Sequence, residues 1–402
     1  MRASIMRIGV LTTSFPDHAA GDALSGHFVE AHCQALLQQG HCVEVVAVRR
    51  GPAAGRTAAM PVGGIFPRVR WLPGGELFAA GGAPEAWERA RGLRAQVQSV
   101  LSAGRIVAGQ ARAAWRGRAQ WDATVAHWLV PSAIAALPSR GPLLAIAHGG
   151  DVHMLLQSRL AAAAAWALRA RQARLVFVAA SGRAAIRDAL PGALAAWLDA
   201  NSIVMPMGVD TARFAAVARA APLRSSAGPL RILFVGRVEP IKGIDVLLRA
   251  VALLPSKIAL RVVGAGAALG EMRALTQALG LCTRHDVDFV GAVSPSVRDQ
   301  HLQWADVVVV PSRQLRNGRT EGTPQIALEA LASGRAVVAS ATGGLCDLPA
   351  PAVLVPPNQP VALASAIARV LQHRPSRAAC QAAVATYDWR DVAHTINDFW
   401  LR

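Results

Sequence analysis

Short apolar runs alternate along the whole chain with longer segments whose apolar residues recur at helical spacing. The short runs, rich in Val, Ile, Leu and Ala, predict buried strands, and the segments between them predict helices. In the first half the predicted strands are Ile5–Leu11, Val43–Val48, Val69–Leu72, Ala123–His127, Leu143–Ala147, Leu175–Ala180 and Ser202–Met205. In the second half they are Arg231–Val235, Ala259–Val263, Val287–Val290, Asp306–Val310, Ala336–Ser340 and Ala352–Val355. Strands separated by helix-length segments predict an α/β fold with parallel, doubly wound sheets.

The length of the chain predicts two domains. Its 402 residues are too many for one ordinary core and suffice for two domains of about 200 residues each. The stretch Met205–Asp210, followed by alanine-rich and then Ser/Gly/Pro-rich sequence, predicts the connection between them. We therefore assign residues 1–208 to an N-terminal domain and 209–385 to a C-terminal domain.

Two glutamates flank the start of a predicted helix in the second half. Glu321 lies in the loop after the strand Asp306–Val310, Pro324 suits the first helical turn, and Glu329 lies farther inside the helix. Backbone N–H groups at the helix start lie between the carboxylates and can bind an anion. A sugar nucleotide needs this combination of hydroxyl acceptors and a phosphate cradle. The alternative is a loop glutamate followed by a solvated helix glutamate.

A second pattern carries cations. Gly236 and Arg237 follow the strand Arg231–Val235, and Lys242 and Gly243 precede the next predicted helix. Lysine occurs only at positions 242 and 257, although Lys and Arg together number 42. Because an ammonium is a compact point charge and a guanidinium a planar fork, the two differ as ligands of a diphosphate. The alternative is a surface lysine before a turn.

Both patterns resemble a known family. The sequence E-G-x-P-x-x-x-L-E-A-x-A-x-G-x-x-V-V-A-S from Glu321 and the sequence G-R-x-x-x-x-K-G from Gly236 resemble the donor-site motifs of retaining glycosyltransferases of family 4. The resemblance implies the GT-B fold, in which two Rossmann-like, doubly wound domains face a cleft and the C-terminal helix crosses back to the N-terminal domain. Residues 386–402 have the length and apolar spacing of such a helix.

The resemblance also implies roles for individual residues. Arg237 and Lys242 would bind the diphosphate of the donor, Glu321 the sugar hydroxyls and Glu329 the ribose hydroxyls. Contacts to the donor are further implied at Gly322, Thr323, Pro324, Val290 and Gly291. The C-terminal domain would thus bind the donor and the N-terminal domain the acceptor.

The N-terminal half carries the resemblance more weakly. His148-Gly-Gly-Asp151 resembles the family segment H-G-x-D, whose histidine lies beside the reacting sugar carbon. The small-residue loop after the first strand resembles a loop that approaches the diphosphate and the acceptor, with Gly21 or Gly26 as its glycine. His127 and Ser181 also lie in segments that resemble the family, but packing or helix capping explains each of them as well.

Charge and composition limit the classes of function that this chain can have. Hydrophobic residues make up 53% of the chain, as in a packed globular protein, and the net charge of +17 attracts anions. No helix-turn-helix, zinc-finger or aromatic RNA-binding motif is present, so a phosphorylated substrate or an anionic membrane explains the charge better than nucleic acid does. The five cysteines are scattered, which favours free thiols in a reducing compartment over disulfides or a zinc site.

The sequence predicts a cytoplasmic protein that can lie peripherally on a membrane. No apolar run is long enough to span a bilayer, and Arg7 interrupts the first apolar stretch, unlike a signal peptide. On a single helix, five arginines fall within an arc of about 60° beside an apolar arc, a pattern that suits an anionic lipid surface. They are Arg91, Arg94, Arg105, Arg112 and Arg116. An ordinary solvated helix face is the alternative, and Gly104 and Gly109 weaken the assumption of one helix.

The predicted function is that of a retaining, metal-independent hexosyltransferase. It would use a nucleoside-diphosphate sugar as donor, no cofactor, and a lipid-linked or saccharide acceptor in envelope or exopolysaccharide biosynthesis. Two alternatives stay open: a sugar-nucleotide epimerase of the same fold, and a basic nucleic-acid-binding protein without catalysis. Side chains alone do not identify the base, the sugar or the acceptor.

Overall fold

The computed structural model describes residues 5–17, 26–49, 67–73, 93–220 and 228–401. The chain divides into two compact units. Unit 1 comprises Met1–Gly208 together with Trp389–Arg402, and unit 2 comprises Val209–Asp388.

Unit 1 is built on a parallel sheet of seven described strands in the order β3-β2-β1-β4-β5-β6-β7. The strands are β1 (Arg7–Leu11), β2 (Cys42–Arg49), β3 (Arg68–Pro73), β4 (Ala123–His127), β5 (Leu143–Ala147), β6 (Arg174–Phe177) and β7 (Ser202–Val204). Its helices are α1 (His27–Gln38), α2 (Leu93–Gly117), α3 (Gly150–Gln157), α4 (Ala161–Ala170), α5 (Ala180–Asp188) and α6 (Gly192–Asn201). Helices cover both faces, so β4 and β5 are buried along their whole length, and β5 is apolar throughout.

Unit 2 repeats the architecture with six described strands in the order β10-β9-β8-β11-β12-β13. The strands are β8 (Leu230–Val235), β9 (Ile258–Val263), β10 (Asp286–Gly291), β11 (Val307–Val310), β12 (Ala336–Ser340) and β13 (Val353–Val355). Its helices are α7 (Thr211–Ala220), α8 (Ile244–Ala252), α9 (Leu269–Ala278), α10 (Leu281–Arg284), α11 (Pro295–Trp304), α12 (Gln325–Ala332), α13 (Pro360–Gln372) and α14 (Arg377–Ala383).

The predicted fold class is confirmed. Both sheets are parallel and doubly wound, and each predicted strand corresponds to an observed one with small shifts at its ends. The last helix, α15 (Trp389–Trp400), packs on α1 of unit 1, with Val392, Ile396 and Trp400 buried in the core of that unit. Its period of apolar residues explains this position, because most of the polar residues between them stay exposed, Asn397 being the buried exception.

Two sequence interpretations need correction. The alanine-rich segment after Asp210 is not only a connection, because α7 occupies residues 211–220 and buries Phe214 and Val217. Alanine is the strongest helix former, and packing of those two side chains completes the helix. Gly104 and Gly109 do not interrupt α2, which runs unbroken through both. Among the described helices, none is both long and apolar enough to cross a membrane.

In each sheet the strand order reverses beside the first strand. The reversal lies between β1 and β4 in unit 1 and between β8 and β11 in unit 2. Connections leave these adjacent strands in opposite directions, which opens a crevice at their carboxyl ends where ligands of such folds bind. The loops that follow β8 and β11 contain Lys242 and Glu321.

Candidate functional site

The turn after β8 brings Lys242 to the carboxyl edge of the unit 2 sheet. Lys242 ends a short 3-10 helix, Pro240–Lys242, and its backbone N–H donates to the Glu239 carbonyl at 3.0 Å. Gly243 follows with φ of 65°, and a Cβ there would lie 1.9 Å from the Pro311 carbonyl oxygen. Only glycine fits this contact, so the turn is held directly against the end of β11.

Lys242, Glu321 and Ser312 form one cluster, called the Lys242 cluster below. The Lys242 ammonium pairs with Oε1 of Glu321, and the Ser312 hydroxyl donates to Oε2 of the same carboxylate. The side chains of Lys242 and Glu321 are 16% and 13% exposed, so water screens the pair only partly. An ammonium has three N–H donors, and two of them can still reach an anionic ligand.

The loop after Glu321 is supported by Gly343 and Gly344, which follow β12. The Gly344 N–H donates to the Glu321 carbonyl at 3.2 Å, and the Thr323 hydroxyl donates to the Gly344 carbonyl at 3.4 Å. The sequence predicts Pro324 in the first turn of α12. In the structure it is instead the N-cap residue of this helix. No side chain caps this helix start, so the Gly322–Pro324 segment leads into the uncapped amide end of α12.

Glu329 lies inside α12 and is buried, with 4% exposure. Nη1 of Arg298, on α11, donates to its carboxylate at 3.2 Å. The interpretation of Glu329 as a solvated helix residue is therefore wrong. The carboxylate predicted to bind ribose hydroxyls is held in a fixed orientation by an arginine before any ligand arrives.

The remaining predicted donor residues lie at the same edge of the sheet. Arg237 follows β8 and its guanidinium donates to Glu239 at 2.8 Å. Val290 and Gly291 end β10, and the Gly291 carbonyl accepts the N–H of Gly264 at 2.8 Å. The structure thus brings Lys242 and Glu321 into contact and places Arg237 in the turn after β8 and Val290 and Gly291 at the end of β10.

Sequence reasoning missed several partners of these groups. Ser312, Glu239 and Arg298 contact predicted site residues from positions that carry no motif of their own. A signal did exist for the pair Gly343-Gly344, because adjacent glycines at the end of a strand often mark a close backbone approach. Within the described residues, no group of three or more His, Cys, Asp and Glu side chains is arranged to hold a metal ion.

A cavity of about 530 Å³ lies beside the Lys242 turn in unit 2. Neither Lys242 nor Glu321 lines it, so its position does not define the candidate site. Its lining residues are Pro240, Asp245, Val246, Arg249, Arg313, Gln314, Leu315, Arg316, Asn358 and Pro360.

In unit 1, His148 follows β5 and is oriented by Asp151. The buried Asp151 carboxylate accepts the backbone N–H groups of Leu129 at 2.6 Å and His148 at 3.0 Å. Burial raises the pKa of Asp151 to about 6, and these N–H bonds oppose that rise. The H-G-x-D segment therefore closes a tight turn in which the aspartate fixes the backbone of the histidine.

Three histidines form a hydrogen-bonded chain, called the histidine chain below. Nδ1 of His32 lies 3.1 Å from Nε2 of His127, and Nδ1 of His127 lies 3.0 Å from Nε2 of His148. Phe28 and Trp128 pack against the His148 ring, with centroids 4.9 and 4.8 Å away. Burial lowers the pKa of His32 to about 4 and that of His148 to about 3, and it lowers the pKa of His127 as well. All three rings are neutral at pH 7.

The other unit 1 candidates are placed as follows. His127, whose role the sequence left open, directly contacts His148. Ser181 is exposed in the first turn of α5 and does not cap it, since Ala179 is the N-cap residue. Gly26 caps α1 with φ of 70°, and a Cβ there would meet the Ser14 carbonyl oxygen at 2.3 Å. Gly21 lies outside the described residues.

The C-terminal half of the chain, which contains the sequences around Gly236 and Glu321, resembles a known family. Residues 229–373 match the family model of glycosyl transferases group 1. The D-inositol 3-phosphate glycosyltransferase of Geodermatophilus obscurus is 36% identical over 190 residues, which are 43% of this chain and 41% of that relative. The chain therefore matches less than half the length of this relative.

Solved structures resemble nearly the whole chain. Sucrose-phosphate synthase from Thermosynechococcus elongatus superposes with a TM-score of 0.71 at 22% identity, covering 98% of each chain. Anabaena HepE in complex with UDP and glucose superposes with a TM-score of 0.66 at 18% identity, again over 98% of each chain. These likenesses show the GT-B fold.

Proposed function

We propose that this protein transfers a hexose from a nucleoside-diphosphate sugar to a lipid-linked or saccharide acceptor, with retention of anomeric configuration and without a metal ion. The Lys242 cluster carries the proposal. The cluster lies where the strand order of the unit 2 sheet reverses, inside the segment that matches glycosyl transferases group 1. In addition, the structural neighbour HepE was solved in complex with UDP and glucose.

In the proposed reaction the cations act on the leaving group. Negative charge grows on the diphosphate as the glycosidic bond of the donor breaks. Lys242 would place a fixed positive charge there, aided by Arg237 and the amide groups at the start of α12. Such groups stabilise the transition state more than the ground state because they are oriented before the charge develops.

Glu321 would bind sugar hydroxyls and orient Lys242, and it would not act as a base. Its two carboxylate oxygens already hold the Lys242 ammonium and the Ser312 hydroxyl. Inversion requires a base that deprotonates the acceptor, and Glu321 in this pair is poorly suited to that role. His148 would bond a hydroxyl of the sugar.

The donor and the stereochemistry test this proposal together. We expect one class among UDP-, GDP-, ADP- and dTDP-sugars to raise the melting temperature, with about 2.7 kcal/mol of added stability at 100 times its dissociation constant. With that donor and a lipid-linked or saccharide acceptor, the anomeric proton coupling of the product should match that of the donor. An inverted product would exclude the retaining mechanism. Turnover of the nucleotide sugar without acceptor would favour the epimerase instead.

The surface of α2 fits peripheral membrane binding. Trp115 and Leu101 are 62% and 55% exposed on this helix, and Arg105, Arg112 and Arg116 are exposed beside them. Arg91 lies outside the described residues, as does the side chain of Arg94. Exposed apolar and basic residues on one face of a helix match the headgroup region of an anionic bilayer. We propose that this face contacts the membrane in which a lipid-linked acceptor resides.

Replacing Arg105, Arg112 and Arg116 together by glutamine should abolish sedimentation with vesicles that contain anionic lipid. Each arginine near the surface contributes about 1 kcal/mol, so the partition coefficient should fall by roughly a hundredfold. The matched control replaces three exposed arginines of unit 2, Arg219, Arg249 and Arg273, and should bind vesicles normally. Binding that survives high salt, or equal loss in both triple variants, would contradict a specific role of α2.

A further inference from the structure

The histidine chain joins three separate parts of unit 1. His32 comes from α1, His127 ends β4 and His148 follows β5. His32 and His127 are 1% and 0% exposed, whereas His148 is partly exposed. The rings do not converge on one point, since each contacts the next through opposite nitrogens. They form a line that runs from the core of the unit to the residue predicted to bind the sugar.

The contacts restrict where protons can lie. Each neutral imidazole has one N–H and one bare nitrogen, and a satisfied contact needs one of each. If His32 carries its proton on Nδ1, it donates to Nε2 of His127, which must then carry its own proton on Nδ1. That proton is donated to Nε2 of His148, so His148 also carries its proton on Nδ1. Only one other arrangement satisfies both contacts, with all three protons on Nε2.

The buried end of the histidine chain distinguishes these two arrangements of protons. Nε2 of His32 is buried and has no hydrogen-bond partner among the described residues. Trp389 of α15 stacks on this ring with an interplanar angle of 16°, which keeps water away from it. With protons on Nε2, this end would be a buried N–H without an acceptor, which is rarer in folded proteins than an unpartnered acceptor. The arrangement with protons on Nδ1 avoids it.

We propose that the buried rings of His32 and His127 hold His148 in the tautomer whose Nδ1 carries the proton, so that His148 presents an N–H donor to its ligand. Nδ1 of His148 makes no hydrogen bond to any residue in the described part of the chain. His32 and His127 are then positioning residues that act through His148. Stacking of His127 on His148 at 17° and contacts from Phe28 and Trp128 hold the ring in place.

The identity of the ligand, a hydroxyl of the donor sugar, rests on the proposed function, but the tautomer does not. Long-range ¹H–¹⁵N spectra of the full chain labelled in histidine distinguish the two tautomers directly. The chain has 11 histidines, and the signals of His148 are identified by their loss in His148→Gln. At pH 7 we expect His32, His127 and His148 all to be protonated on Nδ1. A proton on Nε2 of His148 would overturn the proposal.

His32→Phe tests the coupling through two rings. Phenylalanine keeps the stacking on Trp389 but removes the N–H that His127 accepts, so His127 and then His148 should become mixtures of both tautomers. His32→Gln is the second variant if the first does not fold. The control His394→Phe changes an exposed ring of α15 and should leave His148 unchanged. A single, unaltered tautomer of His148 in both His32 variants would show that the chain does not act as a unit.

Donor binding then separates this inference from the proposed function. If both hold, His32→Phe should weaken nucleotide-sugar binding two- to tenfold, as expected for partial loss of one hydrogen bond. Kd is measured by calorimetry, with Lys257→Ala as a variant outside both sites. Tautomers as predicted without any nucleotide-sugar binding would reject the proposed function alone. Normal donor binding in a His32 variant with mixed tautomers would show that the histidine chain does not position His148 for its ligand.

Discussion

Replacing Lys242 by alanine is expected to lower kcat by roughly 10² to 10³, about 2.7–4 kcal/mol of transition-state stabilisation. The ammonium is the charge that would oppose the growing charge of the diphosphate, and only its partner Glu321 would remain at that point. Removing one member of a largely buried pair also leaves the other without its counterion, so a loss of about 1–3 kcal/mol of folding stability should accompany the change. Steady-state kinetics and thermal unfolding measure the two effects separately.

Three further variants make this test specific. Lys242→Arg keeps the charge but replaces a compact ammonium by a broad fork beside Gly243, so it should recover only part of the rate. The double variant Lys242→Ala/Glu321→Gln removes the uncompensated carboxylate and should regain stability without regaining rate. Lys257→Ala removes the other lysine, which is 62% exposed and pairs with Asp286 at 3.1 Å, and should change neither quantity much. Near-normal turnover in a folded Lys242→Ala protein would reject the site.

Unit 1 should lose stability as the pH falls from 7 to 5. In the folded protein burial lowers the pKa of His32 to about 4, that of His148 to about 3 and that of His127 as well, while all three rings regain an ordinary pKa near 6.5 on unfolding. Below pH 6.5 the unfolded chain therefore binds protons that the folded chain does not, and stability falls with pH. A ring with such a lowered pKa contributes about 1.36 kcal/mol per pH unit, so His32 and His148 together should cost about 4 kcal/mol at pH 5, and His127 acts in the same direction.

Asp151 acts in the opposite direction over part of this range. Its pKa is raised to about 6 on folding, so below pH 6 the folded state binds a proton that the unfolded state does not. This offsets about 1.4 kcal/mol at pH 5 and leaves the histidines dominant. Native-state hydrogen exchange in peptides from β4 and α15, corrected for the intrinsic rate at each pH, measures the stability of unit 1.

His32→Phe should reduce the slope of stability against pH by about 1.36 kcal/mol per pH unit between pH 5 and 6.5, because one titrating ring is gone. His373→Phe alters an exposed ring of unit 2 and should leave the exchange of unit 1 unchanged. Stability of unit 1 that is constant from pH 7 to 5 would show that the histidine chain takes up protons without unfolding.

Most of the fold could be predicted from local sequence. Buried parallel strands are apolar along their whole length, and the four consecutive valines of β11 are a strong example. The helix α7 was missed as an element because its alanine-rich segment has a weak apolar period, and only packing of Phe214 and Val217 shows which face is buried. Local patterns predict an element well when its burial is complete and poorly when burial is partial.

The sequence predicts residues for the candidate site but not the contacts between them. The scarcity of lysine singles out Lys242 as a candidate, and the glycine after the preceding strand predicts the turn that contains it. Nothing local indicated that Lys242 pairs with Glu321, that Ser312 holds the same carboxylate, or that Arg298 fixes Glu329. These partners come from different loops, and their meeting depends on β8 and β11 being neighbours.

The sequence by itself determined the class of fold, the strands and the residues that can carry charge at the carboxyl edge of unit 2, because burial of a strand and the conformation of a turn depend on nearby residues. Tertiary structure alone decided which charges neutralise each other and that His32, His127 and His148 form one hydrogen-bonded chain. A hydrogen bond or ion pair between distant segments requires its atoms to lie within about 3–4 Å, and only the order of strands and the packing of helices set such distances.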